Sequence, residues 1–549
     1  MIELLLQPVI TAIFITLFVL LAAFAVYNIV KSKGKKSGVS LKKAEKLLFK
    51  IEKLAEDEYI EPFGGKDSLF DIIDGLKRLA DYENIKEIIL DIDHINLSQA
   101  HYEELKPLFR ELAKTKKISA IATEYNKIGY LTALLADHIY LFRSKSCMMF
   151  LGGYSYRTPY LKRVLAKFGL QAEVLHIGTH KSTGEELVLE EMSQEKRESQ
   201  GRVLEKAFAY FAEEIQRKRN IDIKTALLKG DLIFATAEEA MKYQMIDGMV
   251  TLDELGVDLD KNTISWANYL EQYKEKKIKT KDEIAILSLE GEIKEKKKGR
   301  KGISYKSVLK KLDLIKEDEN VKGLVLRINS PGGSALESEK IYQKLKGLNI
   351  PIYVSMGSLC ASGGYYIASA GRKLFASPIT ITGSIGVVLM QPRIHEAMEK
   401  MEIKLERIEN GAVQDAFDIT RPLSEASRQK LIQSMKMVYQ EFKDHVLEAR
   451  NMDDDTLEPL AGGRIWLGLE AKENGLVDEI GGVEDCIASL ARELNLDKYK
   501  VSVLQEKKSV KDTIKEVMPE FLSLAQQAAL EFMIDQHTQI LCLEEFDME

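Results

Sequence analysis

The chain has 549 residues, 45% of them hydrophobic and 30% charged, with a formal net charge of −7. It is long enough for two or more cored domains, and its charge gives no electrostatic reason to bind nucleic acid. The four cysteines, Cys147, Cys360, Cys486 and Cys542, are scattered without a CxxC pair, which argues against a disulfide framework or a structural zinc site. His176 and His180 stand four apart, but in a strand-to-loop segment where helical ligand spacing does not apply. No metal or other cofactor is expected.

The first element in the chain is an uncharged run, Val9 to Val30. At about 1.5 Å rise per residue it covers a hydrocarbon core of ~30 Å, so residues 1–31 read as an N-terminal membrane anchor. A cleaved signal peptide ending near Ala23-Phe24-Ala25 is the rival. Against it, Glu3 and no Lys or Arg precede the run, and the run continues past Ala25. Lys31, Lys33, Lys35, Lys36, Lys42 and Lys43 all follow the anchor, which by the positive-inside rule places the body on the cytoplasmic face. Residues 32–66 read as a basic juxtamembrane linker. Gly64-Gly65-Lys66-Asp67 fails as a phosphate loop, since Ile60 and Asp67 stand where glycine and Ser/Thr are required.

Next come strand-like runs at Lys86–Ile92, Lys117–Thr123 and Ala172–Ile177. A helix then starts at Ser193 with an apolar stripe at Val203, Leu204, Ala207, Phe208, Phe211 and Ile215. After the lysine-rich stretch Glu275 to Glu283, a solvated linker, the plan recurs. Strand-like runs fall at Ile284–Glu290, Gly323–Ile328 and Ile352–Ser355, and a helix starts at Ser424 with a stripe from Leu431 to Val446. Residues 67–272 and 273–495 therefore read as two repeats of alternating strands and helices, an α/β design with mostly parallel pairing. Residues 496–549 read as an amphipathic helical tail.

Single residues mark the duplication. Gly129-Tyr130 and Ala133 match Gly364-Tyr365 and Ala368 at an offset of 235; further on, Ile233-Phe234, Glu239-Ala240 and Ile246-Asp247 match Ile465-Trp466, Glu470-Ala471 and Val477-Asp478.

Two motifs in the second repeat carry chemistry. Ser330-Pro331-Gly332-Gly333-Ser334 ends a strand-like run, where glycines let backbone N–H groups face a bound oxygen. Cys360-Ala361-Ser362-Gly363-Gly364 sets a serine among small residues at a strand-to-helix junction, without the G-x-S-x-G elbow because position 360 is cysteine. Cys360 itself reads as a small buried hydrophobe. No histidine occupies a comparable loop of this repeat. A desolvated lysine could activate Ser362, but the residues alone do not choose among the many lysines.

The stretches NSPGGS (Asn329–Ser334), ASGGYY (Ala361–Tyr366), TGSIG (Thr382–Gly386) and GTHKS (Gly178–Ser182) together resemble the signal peptide peptidase A family in its long, duplicated form, over roughly residues 67 to 495. The resemblance implies tandem crotonase/Clp-protease-like domains and a membrane serine endopeptidase. Its substrates would be cleaved signal peptides and other short or unfolded chains. By motif, Ser362 is the nucleophile, Lys181 the general base and Ser384 the group that orients Lys181. Gly333 and Gly363 supply the oxyanion-hole N–H groups, with Gly332 shaping the loop. It also implies a ring-like homo-oligomer at a bacterial cytoplasmic membrane and, against the lysine cluster, an extracytoplasmic body.

The duplication supplies an internal check. Lys127 stands at the first-repeat position of Ser362, Met149 at that of Ser384, and Asn96-Leu97 replaces Gly332-Gly333. The second repeat has Gly411-Ala412 near the position of Lys181. Each repeat lacks what the other carries, so one composite site per pair is expected, within a chain or between neighbours. The competing readings are a crotonase-like acyl-thioester enzyme and a catalytically idle membrane scaffold.

Overall fold

The computed structural model describes residues 39–51, 54–55, 67–273, 279–295, 302–316, 318–410 and 415–504, all of them within one compact unit. The Val9–Val30 run read as an anchor, the Gly411-Ala412 pair and the tail from 505 lie outside the described residues. No helix among the described residues is long and apolar enough to cross a membrane.

The first half is built on a six-stranded parallel sheet, and six strands of the second half's eight-stranded, mostly parallel sheet correspond to it. In the first half the order is Gly248–Val250, His138–Phe142, Lys117–Ala122, Glu87–Ile95, Lys46–Ile51 and Thr263–Ser265, every neighbour parallel. The second half repeats it with Glu479–Ile480, Lys373–Ala376, Ile352–Ala361, Val321–Ser330, Glu283–Glu290 and Lys500–Val503. The apolar runs are nearly continuous because both faces are covered. Along Glu283–Glu290, Ile284 and Ile286 enter one core while Ala285, Leu287 and Leu289 enter the other, the two-residue alternation of a strand.

The long helices match as closely. Gln194–Arg219 and Glu425–Arg450 are each 26 residues, capped by Ser193 and Ser424, whose hydroxyls accept from the N–H groups of Lys196 and Ser427. Both end on a left-handed asparagine, Asn220 and Asn451.

Several boundaries differ from the sequence reading. Lys46–Ile51, inside the stretch read as a linker, is an interior strand pairing with both Glu87–Ile95 and Thr263–Ser265. Lys500–Val503, assigned to the tail, edges the second sheet. Both strands are short and lie beside lysine-rich sequence, which hid them. The halves are also not separate bodies, since Ile284, Ile286, Val325, Tyr353 and Phe375 of the second sheet share a core with the first half. There the buried Glu104 carboxylate accepts from Arg327 at 2.6 Å and from the Val483 N–H at 2.7 Å. Removing one partner of such a buried pair costs about 3–5 kcal/mol.

The arm that joins the halves near the site is a two-stranded antiparallel ribbon. Gln171–Ile177 of the first half pairs with Val387–Arg393 of the second, from Val387 opposite Ile177 to Arg393 opposite Gln171.

Candidate active site

Ser362 sits where the Ile352–Ala361 strand turns into the Gly363–Ala368 helix. Its N–H donates to the Gly383 carbonyl at 2.8 Å, and its φ of 54° with ψ of −123° holds it in a left-handed conformation. A non-glycine residue there stores on the order of 1–3 kcal/mol of strain. Ser384 lies just beyond the Ile381–Gly383 strand, also at positive φ (55°), and its N–H donates to the Arg464 carbonyl at 2.7 Å.

Lys181 reaches these serines from the other half. The ribbon ends at Ile177, and the loop after it is gripped by the second half. The His180 N–H donates to the Gly462 carbonyl at 2.8 Å. Gly463, at φ +84°, lies so close that a Cβ on it would come within 2.5 Å of the Lys181 backbone, so only glycine fits. The Lys181 ammonium group is thereby set 3.0 Å from Ser362 Oγ, 2.9 Å from Ser384 Oγ and 3.0 Å from the Ser384 carbonyl. The side chain is only 5% exposed, and burial pulls its pKa from 10.5 down to about 8. Burial is the cause of the shift, and no carboxylate among the described residues opposes it. A lysine so held beside a hydroxyl can take a proton near neutral pH.

On the opposite side of Ser362 the Pro331–Gly333 loop closes in. A Cβ on Gly332 would fall 2.8 Å from the Ser362 Cβ, and one on Gly333, at φ +146°, would run into the Ile293 carbonyl. The loop is pinned to the segment after the Glu283–Glu290 strand: the Ile293 N–H donates to the Gly332 carbonyl and the Ser334 N–H to the Ile293 carbonyl, both at 2.8 Å. The N–H groups of Gly333 and Gly363, the latter at the helix start, take no acceptor among the described residues. Two free donors beside a hydroxyl suit an oxygen that gains negative charge.

The structure thus brings Ser362, Lys181, Ser384, Gly332, Gly333 and Gly363 into one place within a single chain. Cys360 points away. It is fully buried, burial pushes its thiol pKa well up, and its carbonyl accepts from the Thr382 hydroxyl at 2.7 Å. His180 is occupied by the Arg464 guanidinium, which donates to its Nε2 at 2.6 Å; burial and that charge lower its pKa. His176 Nε2 bonds the Thr183 carbonyl. Among the described residues only Glu339, Glu441 and His445 cluster as ligands would, but Glu339 already accepts from Tyr366 and pairs with His445. The sequence reading missed Gly462, Gly463 and the Val387–Arg393 strand; the glycine doublet was the one local signal.

Comparison with known proteins agrees with this duplication. The sequence model of peptidase family S49 matches residues 110–263 and 344–497, once in each half. Protease 4 of Salmonella typhi is 26% identical over 475 residues, covering 82% of this chain and 76% of that protein. Protease 4 of Haemophilus influenzae is 28% identical over 457 residues, 77% of this chain and 72% of its own. A chloroplastic serine protease SPPA of Arabidopsis thaliana is 27% identical over 477 residues, 82% of this chain and 69% of its own. With both halves matched, the chain belongs to peptidase family S49, in a duplicated form.

Proposed function

We propose that the protein is a serine endopeptidase working through a Ser362–Lys181 dyad. The observation that carries this is the 3.0 Å contact between Lys181 Nζ and Ser362 Oγ at a buried lysine that no carboxylate pairs with among the described residues. Neutral Lys181 takes the Ser362 proton as Oγ bonds to the scissile carbonyl carbon, and the oxyanion is held by the Gly333 and Gly363 N–H groups. As the C–N bond breaks, Lys181 returns that proton to the leaving amine. Water, deprotonated by Lys181, then splits the acyl-enzyme and frees Ser362. Ser384 accepts from the lysine and fixes its aim.

Cleaved signal peptides and other short or unfolded chains are the substrates that fit, since attack needs an extended backbone threaded between the glycine loop and the lysine. The Val9–Val30 run would keep the protein at the membrane where such peptides are released, and a ring of copies would exclude folded proteins. The acyl-thioester and idle-scaffold readings give no use to the lysine at the serine. Hydrolysis of a fluorogenic apolar peptide by the detergent-solubilised protein tests the proposal. Ser362→Ala and Lys181→Ala should each lose on the order of 10⁴-fold or more in kcat; full activity in either removes that residue from the mechanism.

A further inference from the structure

The first half holds a cavity where the second half holds its serine. It has a volume of about 370 Å³ and is lined by Ser98, Gln99, Lys127, Ile128, Leu131 and Tyr154, among others. That size lies in the range of roughly 300–1,000 Å³ typical of small-ligand sites. Lys127 matches Ser362 in the duplication. Here the chain enters the Lys127–Ala133 helix through Asn126 in extended conformation, without the left-handed turn of Ser362.

Lys127 is partly buried in the wall. Its ammonium group donates to the Gly153 carbonyl at 2.8 Å and lies 4.6 Å from the centre of the Tyr154 ring. Among the described residues no carboxylate pairs with it, and burial alone lowers its pKa. One of its three N–H donors is used, so two remain for a ligand. Both adjoining helix starts are already capped, by Ser98 with His101 and by Asn126 with Gly129, which leaves Lys127 as the cavity's charge. A cation without a counter-ion, beside an aromatic ring and the aliphatic Ile128 and Leu131, complements an anion joined to an apolar group.

We infer that this open cavity binds the free C-terminal carboxylate of a peptide with an apolar last residue, Lys127 pairing with the carboxylate and Ile128, Leu131 and Tyr154 lying against the side chain. The inference rests on the proposed peptidase reading, because each turnover of that reaction creates such a terminus. The cavity would then retain or sense products carrying the carboxylate that Ser362 releases.

The test uses the full-length protein in detergent with Ser362→Ala, so that nothing is cleaved. Calorimetric titration compares acetyl-Ala-Ala-Leu as free acid and as C-terminal amide, with decanoate as a third probe. The expected result is an acid bound at least about 10-fold more tightly than the amide, a preference lost in Lys127→Met and kept in Lys127→Arg. Equal binding of acid and amide, or a preference that survives Lys127→Met, overturns the inference. Decanoate bound more tightly than the peptide acid overturns the peptide as occupant. Failure of the unmodified protein to hydrolyse the fluorogenic apolar peptide would sink the peptidase reading instead, a readout that does not pass through Lys127.

Discussion

The two halves share a frame and differ at its tip. In the first, the Tyr130 hydroxyl donates to the Met245 carbonyl at 2.7 Å, and Asp247 accepts from the Ile139 N–H and pairs with Arg219. In the second, Tyr365 donates to the Leu476 carbonyl at 2.7 Å, and Asp478 accepts from the Leu374 N–H and pairs with Arg450. These contacts fasten corresponding strands and helices. At the tip, Asn96-Leu97, Lys127 and the fully buried Met149 replace Gly332-Gly333, Ser362 and Ser384. The first half instead extends the Gln171–Ile177 strand across its neighbour and delivers Lys181. The frame is a packing solution that both halves need. The proposed chemistry depends on a few residues at strand ends, so it can be divided between halves without disturbing that frame.

The sharpest break between the halves is the glycine loop. Gly333→Ala should cut kcat by on the order of 10²–10³-fold, because the clash with Ile293 moves one of the two free donors; steady-state hydrolysis measures it. Near-normal activity would mean that the glycines distinguish the halves only in turn geometry.

The buried lysine gives the next effect, in stability. Its folded pKa of about 8 lies below the ordinary 10.5, so between those values the unfolded chain holds more protons and stability rises with pH. Below pH 8 the burial penalty is in full force, on the order of 3 kcal/mol. Lys181→Met should therefore melt at a higher temperature than the parent at pH 7, with the gap closing as pH rises from 8 to 10.5. In the unmodified protein kcat/KM should climb about tenfold per pH unit up to about 8 and then level, because only neutral Lys181 can accept the proton. A profile flat through pH 6–9 would contradict that role.

The smallest effect concerns Ser384 against its counterpart Met149. Ser384→Ala should lower kcat about 10- to 100-fold with KM little changed, since the lysine loses its aim rather than the substrate its site. Thr at 384 should restore part of it. A change confined to KM would assign Ser384 to substrate contact.

Much of this was legible in the chain. Strands such as Lys117–Ala122 and Glu283–Glu290 announce themselves as apolar runs, and the caps Ser193 and Ser424 mark the long helices. The apolar run at Ile352 reads as a strand only to Ser355; the strand continues to Ala361, with Gly357 packed against Asn329. The Val387–Arg393 strand contains Pro392 and pairs with residues some two hundred positions away, a non-local contact that leaves no periodic trace. The choice of Lys181 came from the family motif. What selects it physically, the clasp of Gly462 and Gly463 from the other half, exists only once the chain is folded.

The central claim is that one chain supplies both members of the dyad. Ser362→Ala and Lys181→Ala, purified separately and mixed in equal amounts under conditions that allow subunit exchange, test it directly by peptide hydrolysis. The account predicts a mixture as inactive as its components, because every chain then lacks one partner in its own site. Recovered activity would mean that Ser362 and Lys181 meet across neighbouring chains, and would contradict it.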